Sequence, residues 1–228
     1  MTAKGNTPVP DVAGTDRTLS VAIRRQLGTF TLDAAFTMDD GITALLGASG
    51  SGKTLTLRAI AGLLRPDSGR IRIGGHTVFD HDQRVDVPAR LRRVGYVMQH
   101  YALFPHLTVA QNIGFGLHRL STGERHARVA ELLAMVQLDA FAGHMPRALS
   151  GGQQQRVAVA RALAPGPRLV LLDEPLAALD RPLRTAIGAE LRRMHEATGT
   201  PMILVTHDPE EATRIADRIV QIDGGSMG

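Results

Sequence analysis

The sequence predicts an α/β fold with a helical lobe set into its second half, and three observations carry that expectation. Short apolar runs (Ile42–Leu46, Val94–Met98, Leu169–Leu172, Met202–Val205) recur along the chain, the pattern of strands buried on both faces. The first run opens into a glycine cluster and then into Leu55–Leu64 at helical spacing, the strand–loop–helix order of a nucleotide-binding unit. Between about residues 99 and 165 the strand signal stops. Helical periodicity takes over there in Val109–Leu117, Glu124–Leu138 (with Val129, Leu132, Leu133 and Val136 on one face) and Gln153–Leu163.

The remaining elements follow in order. Met1 to Arg17 is polar and carries proline and glycine without periodicity, so a loose N-terminal tail is expected before a domain spanning residues 18–228. Leu19-Val21-Ile23 and Phe30-Leu32 alternate like strands of a half-exposed sheet. After the turn Arg65-Pro66-Asp67-Ser68-Gly69, two further short strands are read at Ile71–Ile73 and Thr77–Phe79. Helices are expected over Pro182–Thr198 and Glu210–Ala216, with Arg218–Ile222 as the last strand and Gly224–Gly228 trailing past it.

Composition bounds the function. Of 228 residues, 43% are hydrophobic and 21% charged, enough apolar material for a core in one large domain. No apolar run approaches the 18 or so residues of a membrane span, and the N-terminus lacks the apolar core of a secretion signal, so a cytosolic location is expected. The absence of cysteine removes disulfides, thiolate metal sites and cysteine nucleophiles together. The formal charge of +4 is spread along the chain, and it fits nucleic acid, an acidic membrane surface or plain solvation. Aromatic residues are only 4% with no tryptophan, too few for a single-strand stacking platform, so no nucleic-acid partner is expected.

Gly47-Ala48-Ser49-Gly50-Ser51-Gly52-Lys53-Thr54 matches a phosphate-binding loop in its required strand–loop–helix context. Glycines let successive backbone N–H groups turn toward phosphate oxygens, and the helix N-terminus adds partial positive charge. Lys53 would reach the β- and γ-phosphates, and the Thr54 hydroxyl would ligate Mg²⁺. Lysine occurs only at positions 4 and 53, so a compact point charge is kept here in a chain that otherwise uses arginine. Downstream, Leu169–Leu172 ends in Asp173-Glu174-Pro175. As structure alone, two carboxylates there could cap a helix; beside a phosphate loop, Asp173 would hold Mg²⁺ and Glu174 would polarise the attacking water. Leu149-Ser150-Gly151-Gly152-Gln153 reads as an N-cap, and equally as an anion site at a helix start.

LSGGQ standing between a phosphate loop and an LLDEP strand resembles the nucleotide-binding subunit of ATP-binding cassette (ABC) transporters, over about Leu19 to Ile222. The resemblance implies a P-loop NTPase core, with a mixed sheet, flanking helices and an antiparallel N-terminal β-subdomain, plus an inserted helical subdomain at about 99–165. It implies ATP and Mg²⁺ as ligands, and an ATPase working as a homodimer with ATP sandwiched between subunits. The signature Ser150, Gly151, Gly152 and Gln153 would face the partner's phosphate loop. By the same resemblance Gln99 contacts Mg²⁺ and the attacking water, and Ala178-Leu179-Asp180 crosses to the other subunit. His207 contacts the γ-phosphate. The family usually stacks an N-terminal aromatic on adenine; Arg24 to Phe30 offers Phe30 alone, with an arginine plane or no stack as the alternatives. Expected partners are membrane permease subunits at the cytoplasmic face and, indirectly, an extracytoplasmic binding protein. Pro88–His106 is most similar to the molybdate-importer branch, which sulfate, polyamine and ferric-iron importers approach closely.

Overall fold

The computed structural model describes residues 18–177 and 179–227; the expected tail (Met1 to Arg17), Ala178 and Gly228 lie outside the described residues. β1 (Leu19–Leu27) and β2 (Phe30–Met38) form an antiparallel hairpin, which β4 (Ser68–Ile73), β5 (His76–Asp80) and β6 (Val85–Asp86) extend beyond β1. The second half of the sheet is parallel. It contains β3 (Ile42–Leu46), β7 (Val94–Val97), β8 (Leu169–Asp173), β9 (Met202–Thr206) and β10 (Arg218–Asp223) in the order β10-β3-β9-β8-β7.

The two halves meet at a short strand that the sequence reading left as trailing chain. Gly224 and Gly225, at φ of 53° and 89°, turn the chain so that β11 (Ser226–Met227) pairs antiparallel with β10 and parallel with β2. Only glycine fits this turn: a Cβ on Gly225 would lie 2.1 Å from the Thr31 carbonyl oxygen. Arg218–Ile222 is therefore not the last strand, and the glycine pair that reads as an ending is the joint between half-sheets.

The helices are α1 (Lys53–Ala61), α2 (Val109–Gly114), α3 (Thr122–Met135), α4 (Gly151–Leu163), α5 (Arg181–Thr198) and α6 (Pro209–Ile215). Val109–Leu117 was expected to be helical throughout, but α2 stops where glycines at 114 and 116 weaken it. α4 starts two residues before the expected Gln153, because Ser150 accepts from the Gln153 N–H while the Gln153 side chain bonds back to Ser150. The period-two pattern of the parallel strands divides their side chains between two cores. Val97, Val170, Leu172, Met202 and Leu204 join the cluster under α2–α5, whereas Leu169, Leu171, Ile203 and Val205 join Leu57 and Ile60 of α1. Each fully buried Leu, Ile or Val contributes about 1.5–3 kcal/mol, so this double covering holds the strand ends rigidly in place.

α1 is fixed at its far end too. Gly62 closes it in the left-handed region (φ 79°), and the buried Arg92 donates to the carbonyls of Ala59 (2.9 Å) and Ile60 (3.0 Å) while pairing with Asp86 (3.1 Å). Among the described residues no helix is long and apolar enough to cross a membrane.

Candidate nucleotide site

The carboxyl ends of β3, β8 and β9 lie side by side, the edge where open α/β sheets bind ligands. β3 delivers Gly47–Gly52 ahead of α1. Gly47 has no room for a side chain, since a Cβ would meet the Ile222 carbonyl oxygen at 2.2 Å. Gly50 and Gly52 are left-handed, at φ of 79° and 105°. The loop is braced from behind where the Gly225 N–H donates to the Ser51 carbonyl (3.1 Å). Ala48 and Ser49 complete the turn: the Ala48 carbonyl accepts from the Ser51 N–H (3.2 Å).

Lys53 begins α1 and is buried, with Nζ donating to the carbonyls of Gly47 (2.8 Å) and Ala48 (2.7 Å). This keeps the ammonium within the loop. Burial pushes it below the usual lysine range, and the carboxylates of Glu174 and Asp173 act against that shift. One residue on, Thr54 Oγ1 donates to Asp173 Oδ1 at 2.7 Å, so two residues 119 apart in sequence meet at one point.

Glu174 follows β8 with its backbone in the left-handed region (φ 47°), a strained conformation for a non-glycine residue at the mouth of the site. His207, just beyond β9 and well exposed, places Nδ1 4.0 Å from Glu174 Oε2. Gln99 lies exposed two residues past β7. The partly buried Phe30 opens β2 beside Gly52, where its ring would lie 3.2 Å from a Cβ.

The structure thus gathers Lys53, Thr54, Asp173, Glu174 and His207. It does not bring the LSGGQ residues to them. Ser150 is exposed at the start of α4, and among the described residues no hydrogen bond joins Ser150–Gln153 to Gly47–Thr54. Their neighbours are on the chain after β8: a Cβ on Gly151 would lie 3.5 Å from Leu179, and one on Gly152 3.2 Å from Leu183. Asp180 caps α5 through the Leu183 N–H (2.9 Å).

Two residues escaped the sequence reading. The chain has two tyrosines, and both hydroxyls bond the segment Asp173–Pro175: Tyr96 donates to Asp173 Oδ2 (2.9 Å), and Tyr101 to the Pro175 carbonyl (3.4 Å). Their only sequence signal was rarity together with position, one inside the strand Val94–Met98 and one just after it.

Comparison with known proteins agrees with this geometry. The family described as "ABC transporter" matches residues 33–177, more than half of the chain. The chain is 50% identical over 195 residues to the sulfate/thiosulfate import ATP-binding protein of Caulobacter vibrioides (83% of this chain, 56% of the relative). It is 44% identical over 212 residues to the molybdenum import ATP-binding protein of Rhizobium meliloti (92% and 58%). To the spermidine/putrescine import ATP-binding protein of Pseudomonas fluorescens it is 50% identical over 191 residues (83% and 51%). The chain therefore spans little more than half the length of these relatives. Among solved structures, the ATP-binding cassette MJ0796, dimeric and bound to ADP and Pi, superposes with a TM-score of 0.74 at 32% identity, covering 92% of this chain and 96% of that one. The structure of cbiO1 from Clostridium perfringens, part of an ABC transporter complex, gives 0.82 at 28% identity, covering 94% and 88%. Motif order, strand-end geometry and these likenesses agree, and the chain belongs to the ABC transporter family.

Proposed function

We propose that this chain binds and hydrolyses ATP as the motor subunit of a membrane importer. The observation that carries the reading is the convergence of Thr54 on Asp173 at 2.7 Å, with Glu174 and His207 4.0 Å apart beside it. The N–H groups of Gly47–Gly52 and the Lys53 ammonium offset phosphate charge, and the start of α1 adds its dipole. Thr54 and Asp173 present a hydroxyl and a carboxylate to the same point, hard oxygen donors that fit Mg²⁺. The ion would take its remaining ligands from phosphate, water and Gln99. When bound, Mg²⁺ supplies charge neutralisation on the phosphates being separated. Glu174 takes the proton of the attacking water, and His207 is placed to contact the γ-phosphate. Phe30, at the edge of the phosphate loop, is the residue for adenine.

The signature half of the site is proposed to serve a second copy. Among the described residues Ser150, Gly151, Gly152 and Gln153 make no hydrogen bond to their own phosphate loop, and Asp180 marks the crossing segment, so two chains head to tail would complete two ATP sites. The solved dimer of a related cassette supports this. The lobe carrying α2–α4 would contact a separate permease at the cytoplasmic face of the membrane, with an extracytoplasmic binding protein delivering cargo. We infer an oxyanion as cargo, molybdate first, since that relative aligns over 92% of the chain; the sulfate relative's 50% identity supports the second reading.

Two measurements test this. Purified protein should release phosphate from ATP in an Mg²⁺-dependent manner at a rate per subunit that rises with protein concentration; no hydrolysis with its permease present would sink the motor reading. Cells lacking the protein should lose molybdenum-enzyme activity at trace molybdate and regain it when molybdate is abundant. A defect in sulfate or polyamine uptake instead would move the cargo and leave the ATPase reading standing.

A further inference from the structure

Asp173 has a hydroxyl on each oxygen. Thr54 donates to Oδ1 at 2.7 Å, and Tyr96 donates to Oδ2 at 2.9 Å. An ionised carboxylate only accepts, so both hydroxyls must donate, and Thr54 keeps its lone pairs for a cation while doing so. With one bond alone, the carboxylate could turn about its broad terminal torsion. With both oxygens held, that rotation is fixed.

The support behind Tyr96 is equally directional. Tyr96 lies on β7, in register with Leu171 of β8, and its ring packs on the α1 side of the sheet. The positive charge of Arg58 bears on the same hydroxyl. Arg58 stands one helical turn after Thr54, so both lie on the same face of α1. A guanidinium has donors and no acceptor; it can engage only the phenol oxygen, which leaves the Tyr96 O–H for Asp173. Two hydrogen bonds thus join three elements at one carboxylate: Thr54 of α1 and Tyr96 of β7, both to Asp173 of β8.

We propose that Tyr96 is a positioning residue for the metal-facing carboxylate, holding Asp173 Oδ2 so that Oδ1 stays aimed at the point Thr54 faces. This rests on the reading of Thr54 and Asp173 as Mg²⁺ donors. A neutral hydroxyl suits the task, because a lysine or arginine directly on Oδ2 would cancel the charge that the cation needs. Sequence patterns that stop at Thr54 and Asp173 leave this second layer out, although outer-layer partners commonly set metal affinity.

The test is Tyr96→Phe in the full chain, which keeps the ring and removes the hydroxyl. The Mg²⁺ concentration for half-maximal hydrolysis should rise about 10-fold, with kcat at saturating Mg²⁺ changed by less than about twofold. Fluorescent-nucleotide binding should be unchanged in EDTA, and the tightening brought by Mg²⁺ should shrink by the same factor. Asp173→Ala, run alongside, separates two failures. If Asp173→Ala leaves the Mg²⁺ dependence intact, the metal reading falls and the inference with it. If it shifts that dependence and Tyr96→Phe does not, only the positioning role falls. Equal weakening of metal-free and metal-bound nucleotide by Tyr96→Phe would mark a structural residue and overturn the proposal. Should that variant fold poorly, the exposed Arg58→Gln carries the test, with a shift of about 2–3-fold in the same direction expected and no shift overturning it.

Discussion

The phosphate loop and the LSGGQ turn are both glycine-bearing helix starts, yet the first is tied to the β10–β11 turn by a hydrogen bond and the second is held by apolar packing on Leu179, Leu183 and Ile187. Behind the phosphate loop, Ile222 leaves no space for a Cβ at Gly47, Gly225 donates to Ser51, and Lys53 is tied to two carbonyls. At the signature, Ser150 and Gln153 satisfy one another as a capping box, and Ser150 is exposed. A loop pre-formed within one chain binds its ligand without reorganising. At the signature turn, the side chains of Ser150 and Gln153 bond each other's backbone N–H, and on the proposed reading a second copy supplies the rest. Residues equally visible in sequence thus belong to different kinds of site: one finished, one offered.

Breaking the finished half should have the largest effect. Lys53→Ala removes the ammonium hydrogen-bonded to the Gly47 and Ala48 carbonyls, and hydrolysis should fall on the order of 10³-fold, with weaker nucleotide binding. Phosphate-release assays that show near-normal turnover would reject the loop assignment. Glu174→Gln keeps shape and loses the proton acceptor. Hydrolysis should drop about 10²–10⁴-fold while ATP still binds, and an ATP-bound dimer should build up on size exclusion. A monomer that still splits ATP would mean that Glu174 is not the base.

The offered half should respond differently. Ser150→Arg is expected to cost only about 1 kcal/mol of stability through the lost cap, yet hydrolysis should fall about 10²-fold. A cross-linker at position 150 should reach the phosphate loop of a second copy. Links that form only within one chain would refute the head-to-tail arrangement.

How much of this was legible follows the same division. Strands buried on both faces read directly, because Leu169–Leu172 and Met202–Val205 leave no polar position to confuse the period. The phosphate loop and Asp173-Glu174 read directly because their chemistry needs those residues at that spacing. The last strand was missed because Ser226–Met227 is only two residues long and follows a glycine pair, and only its pairing with β2 and β10 makes it a strand. Tyr96 was missed for a related reason. A tyrosine within an apolar strand reads as core, and nothing local shows that its hydroxyl reaches a carboxylate 77 residues away. The convergence of Thr54 and Asp173 was legible as a role, whereas Tyr96 became visible only once β7 lay beside β8.

The smallest effect expected is on stability, and it too distinguishes the halves. Glu211 sits buried in the first turn of α6, with the Thr206 hydroxyl as partner, Asp208 adding like charge, and Arg184 and Arg214 opposing it. Burial raises its pKa to about 7. Between the ordinary glutamate value and 7 the folded chain holds a proton that the unfolded chain has lost, so stability falls as pH rises through that window. Below it the penalty is absent; above it the penalty is complete, roughly 1–3 kcal/mol. Glu211→Gln keeps an acceptor for Thr206 and removes the charge. Thermal melts should show the variant stabilised at pH 8 and matched with the wild type near pH 4.5. Equal gains at both pH values would mean that the buried charge is not the cause. Ser150→Arg, at a position hydrogen-bonded to Gln153 and to no buried carboxylate among the described residues, should show the same small loss at both pH values, and a pH-dependent loss there would break the division between the two halves.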